Sequence, residues 1–566
     1  MEQGGTLKSE NDKGTIITNH DKDKASSNTV TIDAKDKDDK VEVTLKDVNI
    51  DASSRSEAAV SVTGKGDTTI ELDGDNELKS GAGHAGLEHN KTDTSGELTI
   101  QDKDNNGSLE AAGGFKGAGI GSAGSNDAQV KITGGNITAT SDDWGAGIGS
   151  GSYGTGTVEI TGGEINATGG YLGAGIGGGC NGSGNVTISG GTITAAGGDG
   201  AAGIGGGYYN GATVTITGDA VIKNASTTVY GAGIGGGNGY DGDVTISGNA
   251  KIENATGGYG AAGIGGGAFS SPDKIGNGNV VIKDNAKIDN VQGGAYGAGI
   301  GGGIYGLSNV TIEGNTKVNA TGGAGGAAIG GGAGAENNSD NNGNQITIKS
   351  NENGSPTINA VGGGTDEGEE IVIGGAGIGA GCESDADADI TLEGKVTITA
   401  TAGKDNVAIG ANGIEQEFSG LAEGSSITRY DSEGNDTSLP GDKVPVTPVV
   451  PDDTSSGGSA DASVQESVFP GLVVTDKDGQ RISYTSIRGN NVLSLRVGRF
   501  TASLRASLAT LRQLRAEGID TITFQTILCS TSLSVDELLA MGGEDTEVVL
   551  THHIRSSALT VGGKAV

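Results

Sequence analysis

Ten close copies of Gly-Ala-Gly-Ile-Gly run along this chain, centred on Ile120, Ile148, Ile176, Ile204, Ile234, Ile264, Ile300, Ile329, Ile378 and Ile409. The first four lie 28 residues apart and the next two steps are 30. A near-fixed period of that size is the mark of a solenoid, in which one supersecondary unit stacks on copies of itself. Between the glycines lie short β-branched runs such as Val186-Thr187-Ile188 and Thr192-Ile193-Thr194, bounded by turn residues. Three short strands and three turns per period predict a right-handed parallel β-helix with three strands per coil. Roughly a dozen coils, each about 4.8 Å above the last, would make a rod on the order of 60 Å long.

Side chains alternate along a strand. Val186 and Ile188 are therefore expected to face one way, and Ile193 and Ala195 to join them inside. In the motif strand the same parity puts Ala174 and Ile176 in and Gly173, Gly175 and Gly177 out. That face would carry almost no side chains. A narrow interior of stacked Ile, Val and Ala fits a chain that is only 33% hydrophobic, with 111 glycines.

The repeat sets the domain bounds. An N-terminal tail is expected over 1–14, the β-helix over 15–420, and a linker rich in Pro, Ser and Asp over 421–466. A small α+β module follows over 467–566. Asn/Asp/Glu-rich insertions near 336–344 and 365–370 read as surface loops. In the module, Leu504, Leu508, Leu511 and Leu514 have helical spacing within Thr501–Glu517, closed by Gly518. Thr521–Phe524, Glu547–Leu550 and Ala558–Val561 read as strands, and Ser534–Glu537 as a capping box. His552 and His553 are expected at the surface, on opposite faces of a strand.

Charge narrows the partners. The formal charge is −35, and residues 467–566 hold ten Lys/Arg and nine Asp/Glu, which leaves −36 for residues 1–466. Such a field opposes nucleic acid and anionic membrane. No run is long enough to span a bilayer. Cys180, Cys382 and Cys529 are too scattered for a disulfide framework or a metal motif. The start lacks a charged-then-apolar signal segment, which leaves either a cytoplasmic protein or an extracellular or cell-surface one in mature or trimmed form; the family resemblance described next favours the second.

Several stretches resemble a known family. Val43-Thr44-Leu45-Lys46-Asp47-Val48-Asn49-Ile50-Asp51, Ala59-Val60-Ser61-Val62 and Thr69-Ile70-Glu71-Leu72 look like bacterial parallel β-helix proteins labelled carbohydrate-binding-domain-containing. The Gly-Ala-Gly-Ile-Gly-Gly-Gly arrays at 173–179 and 231–237 are similar to large surface proteins of Gram-positive gut bacteria. Leu508-Ala509-Thr510-Leu511, Gly518-Ile519 and Val549-Leu550-Thr551-His552 look like a module appended to them. The resemblance implies secretion, tolerance of calcium and, in some relatives, binding of acidic plant polysaccharides. It supplies no catalytic residues.

The aromatics carry the sharpest local signal. All twelve in the first 414 residues lie within six positions of a motif isoleucine. Phe115, Trp144, Tyr171, Tyr230, Tyr259 and Tyr296 precede it; Tyr153, Tyr208, Tyr209, Tyr240, Phe269 and Tyr305 follow it. Stacked, they should form two ladders walling a glycine floor, a cleft for a polysaccharide or a host or plant glycan. The bland reading is that the rings cover the corners of the rod and shield its core. No cofactor is required. Calcium is the ion to expect, at Asp385, Asp387 and Asp389, whose alternation lets them share a face. Outward pairs such as Thr192/Thr194 suggest an ice-binding array, which Lys251/Glu253 and Lys287/Asp289 interrupt.

The leading expectation is a non-catalytic carbohydrate-binding or adhesion protein. The alternatives are a structural stalk displaying other modules, and a polysaccharide lyase or glycoside hydrolase. A hydrolase needs two carboxylates at a set separation, and acids are plentiful. No histidine lies between His89 and His552, which excludes a His-based mechanism in the core repeats.

Overall fold

The structure, a computed structural model, describes residues 6–8, 14–269, 274–337, 343–365, 373–445 and 471–565, the last without 478, 483, 490, 498, 500, 527–528, 544–545 and 554–555. It divides into two compact units, 1–449 and 450–566.

The first unit is a parallel β-helix of three ladders. One coil shows the plan: Ile176–Gly177, then Gly184–Ile188, then Thr192–Ala196. Each strand pairs in parallel with its counterpart in the next coil, so that Ile176 meets Ile204, Val186 meets Val214, and Ile188 meets Ile216. Like stacks on like, and the columns of Ile, Val and Ala form one continuous buried core from Ile17 to Ile427. The expected parity holds in the second and third ladders. Val186, Ile188, Ile193 and Ala195 are buried, and Thr187 and Thr194 are partly or fully exposed.

The motif ladder departs from expectation. In the glycine-rich coils it pairs only Ile and the following Gly. That glycine sits at positive φ, +131° at Gly177 and +139° at Gly205, which ends the strand. The Ala174 N–H then donates to the Gly178 carbonyl at 2.9 Å, curling the chain instead of extending it. Gly173, Gly175 and Gly177 are all buried. A Cβ on Gly175 would lie 2.6 Å from the Gly203 oxygen and 2.7 Å from the Ala196 nitrogen. The glycines permit close approach of neighbouring backbone, and the naked outer face expected from parity does not exist.

The rungs also run past the expected bounds. Thr6–Lys8, inside the expected tail, pairs with Thr31–Asp33, and Ser426–Tyr430, inside the expected linker, pairs with Thr397–Thr401. Ile427 takes the core position of Ile398 without a glycine motif before it, so the repeat pattern could not announce that rung. Most of the linker (446–470) and of the surface insertions (338–342 and 366–372) lies outside the described residues.

The second unit pairs a five-stranded and a four-stranded sheet with two helices, α1 (Leu508–Ala516) and α2 (Val535–Leu539). The expected strands appear as Thr521–Gln525, Glu547–His553 and Ser556–Val561. The helix starts later than its leucine spacing suggests. Ala502–Ser507 is a strand with Ala502, Leu504 and Ala506 buried in alternation, and Ser507 caps α1 by accepting from the Thr510 N–H at 3.1 Å. Among the described residues no helix is long and apolar enough to cross a membrane.

His552 is fully buried, not superficial as expected, while His553 on the opposite face is exposed. Its ring nitrogens meet the Thr526 hydroxyl at 3.2 Å and the Thr531 hydroxyl at 2.9 Å. Burial holds this imidazole below its usual pKa of 6.5, and does the same to buried His89 in the β-helix. The unfolded chain therefore takes up protons near pH 6.5 that the folded chain refuses. Stability is full above that pH and falls as pH drops through it. Melting temperatures should decline from about pH 7 to about pH 5, and His552→Asn should flatten the slope. Identical slopes for wild type and variant would refute the assignment.

Candidate functional site

Each motif is flanked by two loops, one before it and one after, and the loops close over it. The N–H of a residue four positions past the motif isoleucine donates to a carbonyl in the leading loop of the previous coil. These bonds run Gly124 to Gly83, Ser152 to Lys116, Cys180 to Trp144, Tyr208 to Leu172, Asn238 to Gly200, Ala268 to Tyr230, Ile304 to Gly260, Ala333 to Tyr296 and Cys382 to Gly325, at 2.6–3.1 Å. Together they make a seam stitched once per coil, and it seals the glycines beneath. Cys180 and Cys382 occupy the same place in their coils. Burial pushes both thiols up to about 11, so neither is a nucleophile at neutral pH.

The aromatics line the two banks of this closed seam. On the leading bank Phe115 and Trp144 have ring centroids 5.3 Å apart, Tyr230 and Tyr259 6.1 Å, and Tyr259 and Tyr296 5.5 Å. On the trailing bank the separations are 3.9 Å for Tyr208–Tyr209 and 5.8 Å for Tyr209–Phe269. The banks touch where Trp144 meets Tyr153 at 6.5 Å, and where Tyr296 and Tyr305 line one hollow of about 220 Å³. So two files of rings exist, but no open glycine floor separates them. None of the twelve rings is buried, and Tyr153 and Tyr171 are 57% and 59% exposed. The Lys116 ammonium sits over Phe115 and Trp144, and Lys274 over Tyr209, Tyr240 and Phe269, at 4.8–5.9 Å from each centroid.

Beside the trailing bank lies an open polar groove of about 790 Å³. Tyr240, Asn210 and Lys274 border it, and Asn185, Thr213 and Asp243 form part of its floor. Those three floor residues are register partners in successive rungs of the second ladder. They belong to a longer outward column, Gln129, Thr157, Asn185, Thr213, Asp243, Asn279, Asn309, Gln345 and Asp389. Every member is polar and at least partly exposed. Sequence reasoning missed both this column and Lys274. The column was readable as the residue two before each second-strand Thr or its equivalent. Lys274 was not, because it sits in an insertion outside the period.

The structure does not assemble the expected calcium site. Asp385, Asp387 and Asp389 are all exposed, and their carboxylate oxygens do not gather within 4.8 Å of one another. Asp387 instead meets the Asn337 side-chain amide at 3.4 Å. Among the described residues, the one acidic group of three whose oxygens lie within 4.8 Å of one another is Glu71, Asp102 and Asp104. Asp102 already accepts from the N–H groups of Asn106 and Gly107, at 3.1 and 3.0 Å.

Residues 130–152, 158–180, 186–208 and 244–268 match a family described as a beta helix repeat. This chain is a parallel β-helix repeat protein. Each matched stretch of the β-helix begins at the buried valine of a second-ladder strand: Val130, Val158, Val186 or Val244. Each ends on a seam donor: Ser152, Cys180, Tyr208 or Ala268. The repeating unit thus includes the stitch that closes it. No curated protein and no solved structure matches the chain. A β-helix repeat fold is consistent with a surface or adhesion-type protein.

Proposed function

We propose that this is a secreted or surface-displayed, non-catalytic protein that binds glycans along the aromatic seam. The observation that supports it most is that all twelve rings before residue 414 reach solvent on the two banks of one line. Sugar rings stack on such faces, and the neighbouring polar column offers hydroxyls, amides and carboxylates for sugar hydroxyls. The chain's charge of −35 suits an uncharged partner better than nucleic acid or an anionic surface.

A glycan array probed with the full chain, with and without calcium, tests the reading. Bound glycans should weaken about tenfold or more, roughly 1.4 kcal/mol per decade, when a contacting ring cluster is truncated to alanine. Three cluster variants cover the seam: Phe115/Trp144/Tyr153, Tyr209/Tyr240/Phe269 and Tyr230/Tyr259/Tyr296. An empty array would favour a stalk that displays other modules. Hits that survive all three variants would remove the seam from the account. Release of reducing ends from pectin or xylan would contradict the non-catalytic assignment.

A further inference from the structure

We propose that the groove beside Tyr240 holds an uncharged, straight β-1,4-linked polysaccharide segment of about four sugars, lying parallel to the axis of the β-helix. The proposal rests on the glycan reading above and specifies its site, ligand charge and orientation.

Direction follows from the floor. Asn185, Thr213, Asp243 and Asn279 are strict register partners, so their side chains repeat once per rung, about 4.8 Å apart, in a line along the axis. A pyranose ring in an extended β-1,4 chain advances by close to one such step, so successive sugars would meet successive polar side chains. A coiled α-linked glucan would leave this line after one or two units. Extent follows from the lining: four successive coils each give the groove several residues, at 183–185, 210–213, 239–243 and 274–277, and the coil before them adds Thr155. The wall supplies the apolar contact, since Tyr240 borders the groove and the Lys274 ammonium ties it to Tyr209 and Phe269.

Charge selects against uronates. Asp241 and Asp243 line the groove, and Lys274 is the one cation among its lining residues. Its ammonium is held over three rings and lies 3.4 Å from the Tyr240 hydroxyl. An acidic sugar would face two carboxylates with the lone cation already engaged. A neutral sugar instead finds an exposed acceptor in Asp243, with the Asn279 amide 2.7 Å from its carboxylate, and amide groups at Asn185 and Asn210.

The test is calorimetric titration of the full chain with cello-, manno- and xylo-oligosaccharides of increasing length, and with oligogalacturonates of matching length. Affinity in at least one neutral series should climb by about tenfold or more from two to four sugars and then level off, with no binding of the galacturonates. Tyr240→Ala and Lys274→Ala, both at the surface, should each weaken the neutral tetramer about tenfold, while Thr357→Ala, exposed on the third ladder and outside both groove and seam, leaves it unchanged. Asn185→Ala tests the floor if a ring variant proves unstable. Preference for galacturonate, affinity that does not rise with length, or loss only with Trp144→Ala would overturn the groove assignment. In the last case the seam reading would stand, whereas an array without any glycan hit would remove both.

Discussion

Replacing Arg429 with leucine should loosen the C-terminal end of the β-helix by about 3–5 kcal/mol, the cost of leaving buried partners without their counter-charge. Arg429 is fully buried although it stands in a core column: it is the register partner of Ala400, at the end of a file of alanines. Its guanidinium grips Asp442 with two nitrogens, Nε at 2.8 Å and Nη2 at 3.0 Å, and also pairs with Glu415. Nη2 donates to the Gln416 carbonyl at 2.8 Å, and the Phe418 ring covers the group from 5.5 Å. Asp442 is itself buried and accepts from the Leu439 N–H at 2.7 Å. A solenoid must end somewhere, and its last coil exposes core on one side. Here one ion cluster closes that side and ties residues 415–442 into a lid. Hydrogen exchange should show Arg429→Leu losing protection from about 397 to 444 while the central coils keep theirs. Wild-type protection there would mean that the cluster closes nothing.

Gly205→Ala should be nearly as damaging, at about 2–6 kcal/mol, the sum of a strained backbone and an overpacked contact. Gly205 has φ +139°, and an added Cβ would stand 2.0 Å from the Gly235 carbonyl oxygen. The rigid ladder of the next coil cannot move aside, because Ile204 and Ile234 are locked in register beneath. Gly364→Ala is the control: it has open space around it and an ordinary φ, so its effect should stay within about 1 kcal/mol. Denaturant titration of both variants checks the contrast. Equal, small effects would mean that the motif glycines are replaceable.

That second prediction marks where sequence reasoning succeeded and where it failed. Parity read correctly for Val186/Ile188 and Ile193/Ala195, because those strands are five residues long and alternate without interruption. It failed for Gly173, Gly175 and Gly177, because counting alternate positions assumes a strand, and a glycine at positive φ ends one. Glycine is equally suited to an open surface and to a crowded contact, and only the neighbouring coil decides between them. Leu504 misled for a related reason. It fits both the period of the strand before Ser507 and that of α1 after it. Arg429 was invisible because its charge argues for the outside, against the inward parity it shares with Ile427, unless its partners, 13 and 14 residues away, are known. The ring files were legible as sequence offsets, while the groove beside them depended on an insertion that breaks the period.

The seam also bears on how the rod would yield under load. Backbone bonds between coils point along its axis, so tension from the two ends would peel coils away one at a time. In an unstitched β-helix only three ladders resist each step. Here each of the nine coils from the one carrying Ile120 to the one carrying Ile378 is also fastened to its predecessor by a loop-to-loop bond such as Cys180 to Trp144. Release of one coil therefore exposes the next stitch before the next ladder can part. Stretched between two surfaces, the rod would give way as a ratchet of small, similar steps, spending work at each coil and keeping the rest of its length intact.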